Sequence, residues 1–596
     1  MIDRTPRWLL ATLLAAAALA LFLALLPFEA VAALADRLAE DGDAAPFGRA
    51  LHGALQSLAG LLALFFSAAA VAARVGWARV PAAHRDSALY AATSTFLVVL
   101  CTWYLYYLPY PTGYDVWHHM AAIKALARPQ WSHPFFDTLD PHLFASPYHL
   151  LWGRLLQALD GVASIFDLTI AAGVLNLLLV LSGLFYFLGL FLPGRGRFLC
   201  LLLLLGLAGF GGIKGDFRWF TLHEIATRLP YPSRFAIGAS FWLLWWTEVG
   251  LRRERPWRLV AVAPAAAVVL LCHPFSAVLL FVGLTVTTAL RATRREWKTG
   301  LGLAVVLLSA LLLALAWPLF PLLELATGKA AELNRSNWLM IYGTGSSAVA
   351  TYWPQIVFGL PAGAYLALAA WRRRDPARTW LALTTATLGA LVLLGSVPRL
   401  GALARTIGPL TFLLDVCLAI ALIDLWKRLP TASPLRRRAP WIALLLLVLW
   451  VPYFVAANGP AVRKRWLRGV AGGVRLDLDR ELGFLADRVE PGQVVLADLD
   501  TSFKVPAFCE GKVVASPHPL AFVDDAAQRR EAVRHFFAPD ATRAERRAIV
   551  RSYGVDLLLL DTTLEGAATL AGEVGFEEIG GPGRFRLYAP RQAPRP

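Results

Sequence analysis

Charge is scarce in this chain of 596 residues: Asp, Glu, Lys and Arg make up 16% of it, against 57% hydrophobic residues. Ordinary soluble domains carry about a quarter charged residues. A soluble globule of this balance would leave wide apolar patches in water, so a single soluble fold is excluded. Cysteine is scarce too. The five are Cys101, Cys200, Cys272, Cys417 and Cys509; four lie in or beside apolar runs, and no CxxC pair exists to hold zinc or a redox disulfide. No Walker loop, GxSxG elbow or HExxH helix occurs, which removes ATP-driven transport within this chain and the commonest hydrolase designs. No heptad or Gly-X-Y period is sustained, and apolar runs of about 20 residues recur along most of the length. Disorder, collagen and coiled coil are thereby excluded, and a polytopic membrane protein remains.

The apolar runs fall at 8–28, 50–73, 87–108, 167–192, 198–212, 235–250, 258–272, 275–290, 299–320, 352–370, 379–397, 406–425 and 440–457, which predicts about thirteen spanning helices. Arg4 and Arg7 precede the first run, which is long and has no clear small-residue cleavage site, so it reads as a retained signal anchor. With the N-terminus in the cytoplasm, the cytoplasmic connections carry Arg74, Arg79 and Arg85, then Arg195 and Arg197, then Arg252, Arg253, Arg255 and Arg258. Further on they carry Arg291, Arg294, Arg295 and Lys298, then Arg372 to Arg374 and Arg378, then Lys427, Arg428 and Arg436 to Arg438. The positive-inside rule is met at every turn. Much of the net charge of +16 is therefore topology, and a nucleic-acid partner loses its support. The run 258–290 is short and is bounded by Arg258 and Arg291, so it reads as a compressed two-helix hairpin.

This alternation predicts a membrane domain over residues 1–460 with extracytoplasmic loops at 109–166, 213–232 and 321–350, a hairpin tip at His273-Pro274 and an outer turn from Pro398 to Arg405. From about residue 461 the sequence becomes charged and mixed, and residues 461–596 read as a small extracytoplasmic α/β domain. Its strands are predicted at Gln493 to Leu496, Val513 to Ala515 and Val555 to Leu560. Helices are predicted near Asp479 to Arg488, Asp525 to Phe537, Thr542 to Tyr553 and Glu565 to Val574.

The first outer loop holds Asp115, His118 and His119 at i, i+3 and i+4. If a helix starts after Gly113 they share a face, with the acid at the positive N-terminal end. A carboxylate partly buried at a membrane surface holds its proton more tightly, as a general base working near neutral pH requires. An N-capping Asp followed by interfacial histidines is the plainer alternative. Of the eleven histidines, His52, His118, His119, His133, His142, His149, His223 and His273 fall on the outer side by this topology, which suggests a polar cavity opening outward. The second outer loop packs Lys214, Asp216, Arg218, His223, Glu224, Arg228 and Arg234 between two spans. Cations are disfavoured in an outer loop, and binding a phosphate-bearing lipid headgroup is the simplest task that would place them there. Internal pairing with Asp216 and Glu224 is the alternative. Asp216, His223 and Glu224 with Asp115 are also of a type that suits Mg or Mn, without a defining spacing. Arg335, Arg399 and Arg405 are further outer cations, each alone readable as a snorkelling residue, and His273 joins them because its loop converges on the same side. Asp477-Leu478-Asp479 and Asp498-Leu499-Asp500 look like metal-nucleotide motifs but are discounted, since acid pairs are common at strand ends.

An acid within Gly113-Tyr114-Asp115-Val116-Trp117-His118-His119, then Ser146-Pro147-Tyr148-His149-Leu150-Leu151-Trp152-Gly153-Arg154 leading into many spans and an outer α/β domain, resembles the GT-C superfamily of polytopic glycosyltransferases. The likeness looks closest to bacterial members, through Val494 to Asp500, Lys512 to Pro519 and Arg551 to Asp561. The resemblance implies a multi-pass protein of the bacterial cytoplasmic membrane that moves a sugar from a polyprenyl-phosphate donor to a lipid, glycan or protein acceptor outside, with Asp115 as base. In that family the acid usually follows the first span; here it follows the third, so two extra spans precede it. A lipid-linked sugar flippase, for which Asp415 within a span speaks, and a non-catalytic membrane scaffold are the competing classes.

Overall fold

The computed structural model describes residues 82–107, 115–128, 131–137, 145–207, 228–253, 257–293, 296–323, 345–395, 397, 403–430, 433–434, 481–517, 523, 525–562, 566–581 and 583–591. In chain order the first part carries α1 (Ala82–Tyr107), α2 (Asp115–Leu126), α3 (Pro147–Ala158), α4 (Ile165–Leu188), α5 (Gly194–Leu207) and α6 (Pro232–Arg252). There follow α7 (Val262–Cys272), α8 (Pro274–Thr293), α9 (Trp297–Leu315), α10 (Gly345–Arg373), α11 (Pro376–Leu394) and α12 (Ile407–Arg428). All but α2 and α3 cover an apolar run read from the sequence, and α7 and α8 form the expected hairpin. Among the described residues, five stretches are long and apolar enough to cross a membrane: Ile165–Leu188, Pro274–Thr293, Trp297–Leu315, Pro376–Leu394 and Leu403–Arg428. The runs 8–28, 50–73 and 440–457 lie outside the described residues.

Local chemistry sets where these helices begin. Ser164 accepts from the Asp167 amide and Asp167 answers the Ser164 amide, a reciprocal cap that starts α4. Asp375 accepts from the amides of Ala377 and Arg378 and Pro376 follows it, so α11 starts there. The outer faces are apolar: Leu301, Val305, Leu308 and Leu312 line one side of α9 and are each more than half exposed, a face whose proper solvent is lipid. Between α4 and α6 small residues let the backbones meet. A Cβ on Gly183 would lie 2.6 Å from the Gly238 carbonyl oxygen, and one on Gly238 would lie 2.8 Å from the Val180 nitrogen.

The C-terminal part carries β1 (Val494–Leu496), α13 (Val505–Phe508), β2 (Lys512–Val513), α14 (Ala526–Phe537), α15 (Arg543–Ser552), β3 (Leu557–Asp561), α16 (Ala567–Val574), β4 (Phe576–Gly580) and β5 (Phe585–Pro590). The strands form one sheet in the order β2-β1-β3-β5-β4. β1 runs parallel to β2 and β3, and β5 antiparallel to β3 and β4. Successive residues of β3 face opposite ways. Leu558 and Leu560 pack with Val533 and Phe536, whereas Leu557 and Leu559 join a core shared with Trp117 and Phe166 of the helical body. A sheet covered on both faces reads as a continuous apolar run, and Leu557 to Leu560 is one. The strands β4 and β5 were not read from the sequence; in β4 the exposed Glu577 and Glu578 hide the alternation.

Two further contacts position α2. A Cβ on Gly153 of α3 would stand 2.8 Å from the Ile123 carbonyl oxygen and 2.9 Å from the Leu126 Cβ, so α3 lies against α2. The start of α3 is tied to the end of α9, because Ala145 donates to the Leu319 carbonyl at 3.0 Å and the Trp317 indole donates to the Ala145 carbonyl at 2.9 Å. Gly153→Ala is therefore expected to push α2 aside and to destabilise the fold by about 1–3 kcal/mol, seen as a lower melting temperature of the detergent-solubilised protein. An unchanged melting temperature would mean that this contact does not hold α2.

Candidate active site

Asp115 is the first residue of α2. Val116, Trp117, Met120, Ala121 and Ile123 are buried, and Asp115, His118 and His119 share the other face over the first turn, as the spacing predicts; further along that face Ala122 and Leu126 are buried. The acid differs from expectation in one respect: it stands exposed rather than partly buried, because it projects from the helix terminus ahead of the packed turns.

His119 reaches α3. Its Nδ1 lies 3.0 Å from Nε2 of His149. The Ser146 amide donates to His149 Nδ1 at 3.2 Å and the Ser146 hydroxyl lies 2.9 Å from the same nitrogen. An amide can only donate, so His149 carries its proton on Nε2 and donates a hydrogen bond from it to His119 Nδ1, which leaves His119 with its own proton on Nε2. Burial first, then the neighbouring His118 and His273, hold the His119 imidazole well below its usual range. His149 is lowered likewise by burial, then by His119 and His118. The pair is thus neutral. His118 points elsewhere, with its ring stacked on Phe135 at 5.7 Å and 6°, and Phe135 stacks on Phe503 at 5.4 Å.

His273 occupies the break between α7 and α8. Burial lowers its pKa to about 3, aided by the charges of Arg405, Arg228 and Arg234 and opposed by Asp115. Charged residues from three segments, Asp115 of α2, Arg228 and Arg234 at the start of α6 and Arg405 before α12, are thus felt at one ring, and all four were singled out in the sequence. Identifiable contacts place the arginine segments. Buried Asn176 of α4 donates to the carbonyl oxygens of Leu229 at 2.7 Å and Tyr231 at 3.3 Å, and the Tyr148 hydroxyl donates to Pro230 at 2.8 Å. These fix the turn that carries Arg228 and starts α6. One turn later Arg234 is only 4% exposed, so its charge requires partners that remain hydrogen-bonded. Arg405 lies over the Phe275 ring at 4.2 Å, a cation–π contact that ties it to the start of α8.

The other face of the α2 segment is held by the sheet. Val513 donates to the Phe135 carbonyl at 2.7 Å, so residues 131–137 attach to the β2 edge. The Lys512 ammonium donates to the Ser132 hydroxyl at 2.7 Å and to the His133 carbonyl. Lys124 of α2 donates to the Phe508 carbonyl at 2.6 Å, Arg128 pairs with Glu510, and Arg529 lies over Phe136 at 5.4 Å. Burial pushes both lysines down to about 8. His133 accepts the amides of Phe135 and Phe136 on Nδ1 at 3.1 and 3.0 Å, and burial, Lys512, His118 and Arg529 lower its pKa to about 3.

Lys214, Asp216, Arg218, His223, Glu224, Arg335 and Arg399 lie outside the described residues. Three of the four groups proposed for Mg or Mn are among them, and no cluster of three His, Cys, Asp or Glu suited to a metal occurs among the described residues. Asp498 accepts from the amides of Asp500 and Thr501 at 3.0 Å and so caps a short helix; Asp477 and Asp479 lie outside the described residues. His149, Asn176, Tyr148 and Lys512 were not read as site residues. Ser146-Pro147-Tyr148-His149 did offer a signal, a capping serine with a polar residue three positions on, whereas a buried lysine under a sheet edge has none.

No protein-family model and no curated protein matches the chain. Solved structures do. An oligosaccharyltransferase of Archaeoglobus fulgidus in the apo form is similar with a TM-score of 0.45 and 14% identity over 84% of this chain and 75% of that one. The archaeal oligosaccharyltransferase AglB of the same organism, in complex with an inhibitory peptide and a dolichol-phosphate, is similar with 0.43 and 13% over 85% and 75%. ArnT of Cupriavidus metallidurans bound to undecaprenyl phosphate is similar with 0.47 and 13% over 85% and 98%. Both enzymes are GT-C superfamily membrane glycosyltransferases. These likenesses concern the course of the chain, and residue roles rest on the geometry above.

The neutral histidines make stability depend on pH with a definite sign. His133 takes up a proton near 6.5 when unfolded and near 3 when folded, so between those values the unfolded state binds more protons and stability falls as pH falls, by up to about 1.4 kcal/mol per unit. His119 and His149 act in the same direction. The melting temperature is therefore expected to drop steadily from pH 6.5 to pH 4.5, and less steeply in His133→Asn, which keeps an acceptor for the Phe135 amide. A flat profile in the wild type would contradict the neutral assignment.

Proposed function

We propose that the chain is a membrane glycosyltransferase that transfers a sugar from a polyprenyl-phosphate donor to an acceptor hydroxyl or amide on the extracytoplasmic side. The observation that carries this reading is that Arg405 lies over the Phe275 ring at 4.2 Å, beside the helix break at His273 rather than in mid-span, where the charges of the exposed Asp115 and of Arg228 and Arg234 at the start of α6 are also felt. A carboxylate beside a group of cations suits a reaction in which one partner loses a proton and the other leaves as a phosphate. Asp115 takes the proton from the acceptor as it attacks the anomeric carbon, the bond from that carbon to the phosphate oxygen breaks, and the configuration inverts. The arginines stabilise the charge that grows on the departing lipid phosphate. Placing the site at helix ends keeps the lipid tail in the bilayer while the headgroup meets water. An exposed carboxylate also fits the role, since the acceptor must reach it from solvent. A flippase would instead line a path through the bilayer with polar groups; Asp415, buried in α12, is the residue that favours that reading.

The test uses full-length protein in nanodiscs with a polyprenyl-phosphate sugar, following release of polyprenyl phosphate. Asp115→Asn keeps the shape and removes the base, and is expected to slow release by about a hundredfold or more, while binding of polyprenyl phosphate stays within about threefold. Equal rates for wild type and Asp115→Asn would remove Asp115 from the chemistry. Movement of the sugar lipid across vesicles that survives Asp115→Asn would favour the flippase.

A further inference from the structure

Helix α3 is no span, yet both of its ends are tied to spans. Its twelve residues reach about 18 Å, well short of a hydrocarbon core of about 30 Å. Just ahead of it, Ala145 donates to the Leu319 carbonyl at 3.0 Å and accepts from the Trp317 indole at 2.9 Å, and both partners lie just beyond the end of α9. Behind it, residues 159–164 turn tightly, with the amides of Val162 and Ala163 donating to the Leu159 carbonyl at 2.9 and 3.1 Å. The Ser164 cap then starts α4. Both α4 and α9 are long and apolar enough to cross a membrane. A short helix strung between the ends of two spans runs along the bilayer surface rather than through it.

The circumference of α3 divides into three. Tyr148, His149, Trp152 and Gly153 are buried, with Gly153 against Ile123 and Leu126 of α2. Leu151, Leu155 and Ala158 follow at i, i+4 and i+7 and share an exposed side; Leu151 is 63% exposed and Leu155 38%. Beside them runs a polar edge. The Arg154 guanidinium donates to the Gln157 side-chain oxygen at 2.8 Å and lies 5.4 Å from the centre of the exposed Trp131 ring. Leucines flanked by a tryptophan and an arginine are what a helix lying in the headgroup region presents. We infer that α3 is seated in the lipid headgroup region on the Asp115 side of the bilayer, with Leu151 and Leu155 among the upper acyl chains and Arg154 at the level of the phosphates. Lipid, rather than a second copy of the chain, is the occupant because this side continues from α4 and α9. Leu175 and Leu178 of α4 and the leucines of α9 are exposed and already require lipid. Through Gly153 the seat also sets the height at which α2 holds Asp115. Nothing in it depends on glycosyl transfer, so it and the proposed function can fail independently.

All five native cysteines are buried, so a thiol-reactive fluorophore reports on a cysteine placed at the surface. Full-length Leu151→Cys, Leu155→Cys and Gln157→Cys are labelled with bimane and placed in nanodiscs holding one copy each. The discs are of phosphatidylcholine, with or without phosphatidylcholine that carries a nitroxide near the top of its acyl chain, and iodide serves as the quencher in water. Melting temperatures confirm that each variant folds, and either leucine position suffices should the other variant fail. At positions 151 and 155 the nitroxide lipid is expected to remove about half of the emission or more while iodide removes little, and position 157 is expected to reverse that order. Equal quenching by iodide at 151 and 157, with no loss to the nitroxide lipid, would place the whole exposed side in water and overturn the inference. Iodide quenching in single-copy discs that disappears in discs holding two copies would assign the leucines to a contact between copies, and would overturn it as well.

Discussion

A helix of twelve residues lying outside the membrane spans keeps its shape only if its apolar side is covered and its ends are held, and α2 depends on this. Short helices are marginal on their own. The side bearing Trp117 and Met120 is buried against the helical body and the sheet, and its C-terminal end is pinned by Lys124 to the Phe508 carbonyl. The sheet edge takes up residues 131–137 through Val513 and Lys512. With both ends of this loop fixed, the N-terminal turn of α2 can hold an exposed acid at a constant place. The sheet of residues 494–590 therefore belongs to the site mechanically.

Neutrality among the histidines follows from the same packing. His133, His149 and His273 each use Nδ1 to accept from a backbone amide, so each is set in the Nε2–H form by the fold. None has room for a second proton at neutral pH, and among the described residues the permanent cations that act on His273 beside Asp115 are arginines. Arginine stays charged at all working pH values. A site charged in this way does not change its attraction for an anion across the range in which free histidine titrates.

Much of this was legible in the sequence, and what was not has physical reasons. The apolar runs, the break at His273 and the i, i+3, i+4 spacing of Asp115, His118 and His119 are local features, and the helices follow them closely. The convergence of Arg228, Arg234 and Arg405 was read only as far as a shared side of the membrane, since periodicity says which face of a helix is polar but not which loops meet. His118 and His119 look equivalent in sequence, yet one stacks on Phe135 and the other bonds His149, a division made by tertiary packing. The buried Lys512 and the antiparallel pair β4–β5 escaped for a related reason: a lysine in a mixed segment and a strand with Glu577 and Glu578 outward both look like solvent-facing chain until their neighbours are known.

The most direct measurement is an experimental structure of the full-length protein in a lipid bilayer with polyprenyl phosphate bound. The phosphate is expected to lie among Arg228, Arg234 and Arg405, with the Asp115 carboxylate facing the space where an acceptor would sit and the lipid tail running between helices into the bilayer. A phosphate bound instead at the opposite ends of the helices, in the cavity lined by Glu248, Arg252 and Arg291, would contradict it.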